Sequence, residues 1–326
     1  MRLSIVIPVY NVEKYIEKCI CSVVSQDISN EDYEVLILND GSTDCSKDIA
    51  ERYAKQNSNV HLFNHSNMGL SATRNRGLRE AKGDYVWFID SDDWIENNCL
   101  GDILKRLESN PDVLSFSGMI PEGKRKGNAE FYGNKVTTLT SLYLHGMIDP
   151  VQFYIYNRNF LLSNKFFFKE NIKHEDTLFT PITLYKVKNI VFYRKPVYHW
   201  LYRQGSITST LDMKRVKDIS DNIQILYQFA TDIAERDIRV GFFNKIAHRI
   251  IEMLNYGIDN GKAGEEYVMR IMDLHPEYWN IMKNALDVKP RIIYKLIRYS
   301  PLSFIDTYRI LVRIKSTLNN FLKIPY

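Results

Sequence analysis

A chain of 326 residues, 45% hydrophobic and 25% charged, has the make-up of a folded globular protein and excludes a disordered or low-complexity one. No apolar run approaches the roughly 18–20 residues that span a bilayer. The opening MRLSIVIPVYNVEKY carries Pro8 in a short apolar stretch with no small-residue cleavage site, so it reads as a first strand and not as a secretion signal. The formal net charge of +4 conceals an asymmetry, because residues 289–326 hold eight Lys or Arg and one acid, Asp306, while the rest of the chain is slightly acidic. That distribution argues for one local anionic partner at the tail; the tail also suggests a nucleic-acid binder, but interleaved basic and aromatic stretches are not sustained elsewhere.

In chain order, residues 3–9 form a β-branched run that ends in Pro8, Val9, Tyr10 and Asn11, a strand followed by a loop. Residues 12–25 carry Val12, Tyr15, Ile16, Cys19, Ile20, Val23 and Val24 at helical spacing. A second strand over 33–38 runs into Asn39-Asp40-Gly41-Ser42-Thr43-Asp44, where Ser42 or Thr43 is placed to cap a helix through Ala54. A third strand over 60–63, a turn at Asn67-Met68-Gly69 and a helix over 70–81 follow. Gly83-Asp84 then turns the chain into 85–89, whose aromatic and β-branched residues suit a strand covered on both faces. Four strands alternating with helices predict a mainly parallel, doubly wound sheet, with ligands outside the carboxyl ends of the strands. Residues 8–11, 39–44 and 90–93 all fall at such ends and should share one rim.

Beyond this point the pattern predicts a fifth strand over 112–116, an exposed loop at 123–127 (GKRKG) and a short helix over 140–145. The aromatic stretch 153–168 reads as core, with sugar stacking as the alternative. His174-Glu175-Asp176 opens a helix over 177–187, strands follow at 190–193 and 196–203, and 204–208 is a loop. After Leu211 helical periodicity dominates to Leu274, and Pro276, Pro290 and Pro301 punctuate the remainder. Phe304, Tyr308, Leu311, Ile314, Leu318 and Leu322 then recur at helical spacing, with Arg309 and Arg313 on another face. The chain thus divides into an α/β domain over 1–210 and a helical region over 211–326 with a basic, amphipathic tail. Cys19, Cys21, Cys45 and Cys99 have neither zinc nor disulfide spacing and are expected as thiols.

The chemistry centres on Asp90-Ser91-Asp92-Asp93. Three carboxylates in four positions repel one another unless a cation sits among them or they cap a helix, here one starting near Asn97. Hard oxygen ligands suit Mg²⁺ or Mn²⁺. On the helix over 70–81, Arg74 and Arg76 form either a solvated basic face or a phosphate contact, for which Arg74 is favoured, since a guanidinium grips phosphate with two donors. Asp176 reads either as an acid that favours a helix dipole or as a general base facing the rim. His199 is either a core histidine or a second metal ligand. Arg203, Ser206 and Thr208 are candidate phosphate contacts.

The segments SIVIPVYN at 4–11, NDGSTD at 39–44, NMGLSATRNRGL at 67–78, GDYVWFIDSDD at 83–93, HEDTLF at 174–179 and YRQGSIT at 202–208 together carry a resemblance. The chain resembles the family 2 inverting glycosyltransferases of the GT-A fold, particularly bacterial enzymes that build surface polysaccharides such as capsule, O-antigen or exopolysaccharide. The resemblance covers about the first 210 residues. It implies that Pro8, Tyr10 and Asp40 line a nucleotide pocket, with Asp40 facing the base, Asp44 as a further candidate and Arg74 beside the nucleotide. Asp90, Ser91 and Asp92 stand at the DXD position, with Asp92 as direct ligand of Mn²⁺ or Mg²⁺ and Asp90 reaching the ribose or the metal's water. Asp176 matches the catalytic aspartate, and Arg203 and Ser206 hold the diphosphate. His174 departs from the pattern, since many relatives have glycine there. The implied reaction moves a sugar from a nucleotide-sugar donor, with UDP expected, to a saccharide or lipid-linked saccharide acceptor. The implied place is the cytoplasm, with the basic tail resting on anionic lipid at the inner face of the membrane. Two rivals are a non-catalytic nucleotide-sugar-binding protein of the same fold and a nucleotidyltransferase making the donor. The latter lacks its glycine-rich basic phosphate loop, because PVYNVEKY is neither glycine-rich nor basic.

Overall fold

The structure is a computed structural model that describes residues 1–116, 118–122, 129–130, 136–145, 148–202, 212–300, 303 and 305–311. In chain order its elements are β1 (Leu3–Val9), α1 (Ile16–Val24), β2 (Tyr33–Asp40), α2 (Ser46–Gln56), β3 (Val60–His65), α3 (Leu70–Glu80), β4 (Tyr85–Phe88), β5 (Trp94–Ile95), α4 (Leu100–Leu107), β6 (Val113–Phe116), β7 (Gly118–Glu122), β8 (Ala129–Glu130), α5 (Leu139–His145), β9 (Tyr154–Asn157), α6 (Arg158–Ser163), α7 (Asp176–Tyr185), β10 (Ile190–Tyr193), β11 (Tyr198–Leu201), α8 (Met213–Thr231), α9 (Arg236–Asp259), α10 (Gly261–Leu274), α11 (Glu277–Lys283) and α12 (Val288–Arg298). Two compact units result, Met1–Leu139 with Ile148–Arg203, and Thr140–Met147 with Gln204–Tyr326.

The first unit is built on a seven-stranded sheet in the order β10-β6-β9-β4-β1-β2-β3. All pairs are parallel except those of β9, which runs antiparallel between β4 and β6. Every residue of β1 and β2 is buried, as expected of central strands covered on both faces. Pro8 is tolerated in a central strand because β4 pairs only with Leu3 to Val6, so no β4 ladder bond is lost at Pro8. A second, four-stranded sheet runs β5-β11-β7-β8.

The aromatic stretch 153–168 forms β9 and α6 and packs as core. Phe168 stacks on Phe179 with ring centroids 3.9 Å apart, and Phe88 meets it edge-on at 5.1 Å. Two sequence expectations fail for the same reason, that the capping groups come from elsewhere. Ser42 and Thr43 do not cap α2. Ser42 Oγ accepts Asn11 N (3.2 Å), the Thr43 N–H goes to Asn11 Oδ1 (2.8 Å), and Asp44 Oδ1 takes the Ser46 N–H at 3.0 Å. Likewise Asp90–Asp93 do not cap the next helix. It begins at Leu100, and Gln26 Oε1 accepts the N–H groups of Cys99 (3.0 Å) and Leu100 (3.2 Å), while Asp27 Oδ1 accepts that of Gly101 (3.0 Å).

The second unit is helical. Residues such as Ile223, Leu226, Ile246, Ile250, Met253, Val268 and Met272 form its core. The helices α9 and α10 meet at Gly257 and Gly264, where a Cβ on Gly264 would stand 2.1 Å from the Gly257 carbonyl oxygen. Among the described residues no helix is long and apolar enough to cross a membrane. The four cysteines are free thiols. The expected loop at 123–127 and most of the expected helix over 304–322 lie outside the described residues. Residues 305–311 are helical.

Candidate active site

The loops after β1, β2 and β3 are stitched together by hydrogen bonds. Val12 N donates to Ser46 Oγ at 2.9 Å, and Glu13 N to Asp44 Oδ2 at 3.0 Å. Burial tends to raise the Asp44 carboxyl, but the donors from Ser46 and Glu13 outweigh it and hold it below its ordinary value. Asp40, at the end of β2, accepts the Met68 N–H on one oxygen (2.6 Å) and the Gly69 N–H on the other (3.0 Å), with His65 Nδ1 3.3 Å away. Its carboxylate therefore braces the turn that starts α3. Pro8 is buried beneath this rim, and Tyr10 is half exposed above it.

The loop after β4 carries the carboxylates. One oxygen each from Asp90, Asp92 and Asp93 lie within 4.8 Å of one another. They do not play one role. Asp93 is buried and accepts the Tyr198 hydroxyl (2.6 Å) and the Leu201 N–H (2.8 Å). Burial first, then Asp92 and Asp90, push its carboxyl well above the usual range. Asp93 thus pins β11 to the loop. Asp90 accepts Gln152 Nε2 and, at 2.7 Å, Arg74 Nη2. Asp92 is half-buried at the rim, and Ser91 is buried beside it. Helix capping does not account for the cluster; Arg74 and Gln152 partner Asp90, and Tyr198 and the Leu201 N–H partner Asp93. The all-oxygen donor set around Asp92 and Asp90 fits Mg²⁺ or Mn²⁺.

Arg74 joins this cluster to the start of α7. It is 2% exposed and paired with Asp90 on one side and Glu175 on the other. Burial works against its charge, but Asp90, Glu175 and Asp176 outweigh it, so the guanidinium is held more firmly protonated than usual. Asp176 is the first residue of α7 and lies within electrostatic reach of Arg74. His174, just before it, has φ 60°, the left-handed region that glycine enters freely and histidine only sparingly.

The structure thus brings Arg74, Asp90, Ser91, Asp92 and Asp176 towards one site, next to the loops of Pro8, Tyr10 and Asp40. It does not bring His199 into the carboxylate cluster. The two ring nitrogens of His199 face Glu122 (3.1 Å) and Glu96 (3.0 Å), and its ring stacks on Trp94. Arg203, Ser206 and Thr208 lie outside the described residues. Two site residues had no role in the sequence reading. Glu175 was only the neighbour of Asp176, and its burial is the missing signal. Gln152 has no motif at all and is identified only by its bond to Asp90.

The model of the family "Glycosyl transferase family 2" matches residues 4–168. Among curated proteins, the chain is 28% identical over 222 residues to "Putative glycosyltransferase EpsH" of Bacillus subtilis (strain 168), covering 65% of this chain and 64% of that protein. It is 27% identical over 323 residues to "Poly(ribitol-phosphate) beta-N-acetylglucosaminyltransferase TarS" of Staphylococcus aureus (strain MW2), covering 95% of this chain and 55% of that protein. The chain thus spans less than two thirds of the length of these relatives. Among solved structures it is similar to S. aureus TarS 1-349 in complex with UDP-GlcNAc, with a TM-score of 0.74 and 22% identity over 95% of this chain and 90% of that one. It is also similar to the mannosyltransferase PcManGT from Pyrobaculum calidifontis in complex with GDP-Man and Mn²⁺, with a TM-score of 0.56 and 15% identity over 99% and 88%. At these identities the likeness to the solved structures is one of fold.

Proposed function

The chain belongs to glycosyl transferase family 2, and from that membership we propose that it is an inverting transferase. It moves a sugar from a nucleotide-sugar donor, a UDP-sugar first, to a hydroxyl of a saccharide or lipid-linked saccharide acceptor in bacterial surface-polysaccharide synthesis. Residues 1–210 carry the reaction. The observation that carries the reading is the buried Arg74 bridge, which ties the carboxylate loop to the start of the helix bearing Asp176.

Inversion needs a base on one side of the anomeric carbon and stabilisation of the leaving diphosphate on the other. Asp176 takes the proton from the acceptor hydroxyl as it attacks, worth roughly 10²- to 10⁴-fold. Glu175 and Gln152 hold Arg74 and Asp90 in place. Arg203 and Ser206 supply donors to the diphosphate. A divalent cation, Mn²⁺ or Mg²⁺, held by Asp92 with Asp90 near it, supplies Lewis-acid stabilisation of that leaving group. The structures of relatives with UDP-GlcNAc and with GDP-Man and Mn²⁺ support a nucleotide-sugar donor and a metal.

A membrane partner is also part of this reading. The helix α12 exposes Val288, Ile292 and Leu296 at four-residue spacing (58%, 50% and 45%), and Tyr299 follows at 81%. Lys289, Arg291, Lys295 and Arg298 flank that ridge. An apolar ridge with cationic flanks suits an anionic lipid surface, consistent with a lipid-linked acceptor.

The test is a thermal-shift screen against UDP-, GDP-, dTDP- and CMP-sugars, each with and without Mn²⁺. A donor at a hundredfold excess over its Kd adds about 2.7 kcal/mol of apparent stability. The expected result is a shift with one nucleotide class that requires the metal. No shift in any arm, followed by no transfer product with that panel, counts against the reading.

A further inference from the structure

Away from the rim, a cavity of about 380 Å³ opens at the opposite, N-terminal edge of the central sheet. There β1 and β4 begin and the antiparallel β9 ends, so the three strands bring Arg2, Lys82, Asp84 and Arg158 to one place, with Asn110 and Glu108 from the segment after α4. The volume is within the range of ligand pockets. The lining is polar, and its groups are unequally satisfied. Arg2 donates to the Leu104 carbonyl (2.9 Å) and stands 3.5 Å from Glu108, which accounts for that pair. Among the described residues Lys82 and Arg158 make no ion pair, and Arg158 Nε is hidden from water with no hydrogen-bond partner. Its guanidinium makes no hydrogen bond or ion pair among the described residues, so the terminal nitrogens of the fork are left to an acceptor that enters the cavity. Asn110 Oδ1 already accepts the Tyr85 hydroxyl, which leaves its amide NH₂ as a further donor at the cavity wall.

We propose that this cavity is a second ligand site, and that it takes phosphate esters of polyols or sugars. The Arg158 fork and Lys82 match phosphate oxygens, which accept and never donate when ionised. Asp84 and Glu108 are acceptors and suit the hydroxyl groups of the ester's carbon skeleton. A simple anion would leave the Asp84 carboxylate idle, and a neutral polyol would leave Arg158 and Lys82 unpaired. The ester is either a free small molecule or one unit of a phosphodiester chain. The site does not depend on the glycosyl-transfer reading, because it shares no residue with the rim.

The experiment is calorimetric titration of the full chain with glycerol 3-phosphate, inorganic phosphate, glycerol and poly(glycerol phosphate). The expected result is binding of the monoester or the polymer, at least tenfold weaker binding of inorganic phosphate, and none of glycerol. Tighter binding of the polymer identifies a chain unit as the ligand, and tighter binding of the monoester a free ester. Arg158→Gln and Lys82→Glu are each expected to raise Kd at least tenfold, with the nucleotide-sugar thermal shift unchanged. Lys82 is exposed, so its variant decides the matter if the Arg158 variant does not fold. Absence of binding by both esters, equal binding of inorganic phosphate, displacement of the ester by UDP, or a Kd unmoved by Lys82→Glu would each overturn the proposal.

Discussion

At the scale of single residues, the site rests on a buried cation flanked by acids. Arg74 gains from Asp90 and Glu175 what it loses in hydration, and removing one partner of such a pair typically costs about 3–5 kcal/mol because the other charge is left buried. Arg74 variants therefore report on folding as much as on binding. Cleaner probes are the two aspartates at the edge of the network. With Asp176→Asn we expect transfer to fall by roughly 10²- to 10⁴-fold while calorimetry shows donor affinity within about twofold of the parent. With Asp92→Ala we expect the metal-dependent part of donor binding to disappear. Parallel loss of donor affinity in both variants would remove the base assignment from Asp176.

At the scale of elements, α3 is held unusually close to the sheet. A Cβ on Gly77 would stand 2.3 Å from Val6 Cγ1 and 3.3 Å from Leu38 Cδ2. Valine is stiff at χ1 and sits at 0% exposure in β1, so it cannot swing away. Gly77→Ala gains helix propensity of up to about 1 kcal/mol, and overpacking of this kind costs about 1–3 kcal/mol. The expected outcome in urea unfolding is a net loss, restored in part when Val6→Ala is added. An additive double-mutant cycle would show that the two positions do not press on each other. The same helix carries Arg74, which is why its close seating matters for the rim.

At the scale of the whole molecule, the basic excess seen in the composition has a surface to act on. The ridge of α12 combines exposed Val288, Ile292 and Leu296 with four basic residues on the same helix. Each Lys or Arg near an anionic surface adds about 1 kcal/mol, and salt screens that contribution. In vesicle co-sedimentation we expect binding to phosphatidylserine-containing vesicles that weakens with salt, little binding to neutral vesicles, and loss of most binding in the Ile292→Glu, Leu296→Glu double variant. Equal binding by parent and double variant, or no binding by the parent, would overturn a lipid-facing role for α12.

The sequence by itself determined the α/β architecture. Its signals were local: β-branched runs for β1, β2 and β4, helical periodicity between them, and loop residues at the carboxyl ends that gather the rim. It determined the family too, because NDGSTD, GDYVWFIDSDD and HEDTLF keep their order and spacing. The tertiary structure decided what depends on partners far apart in the chain. Asp90–Asp93 read by themselves as a cap or as a metal site, and the rim shared with 8–11 and 39–44 already favoured the metal; the structure removes the cap, because Gln26 and Asp27, more than seventy residues from the start of α4, take that role. Three adjacent carboxylates looked alike until burial and the Tyr198 hydroxyl separated Asp93 from the other two. β9 could not be foreseen as an antiparallel insertion, because an aromatic run buried on both faces has no period that reveals its direction. His199 stood near the site in the order of motifs, yet in space its ring nitrogens belong to Glu96 and Glu122. Propensity and spacing act over a few residues and survive in a linear reading. Hydrogen-bond choice and burial are settled only when distant segments compete for the same groups.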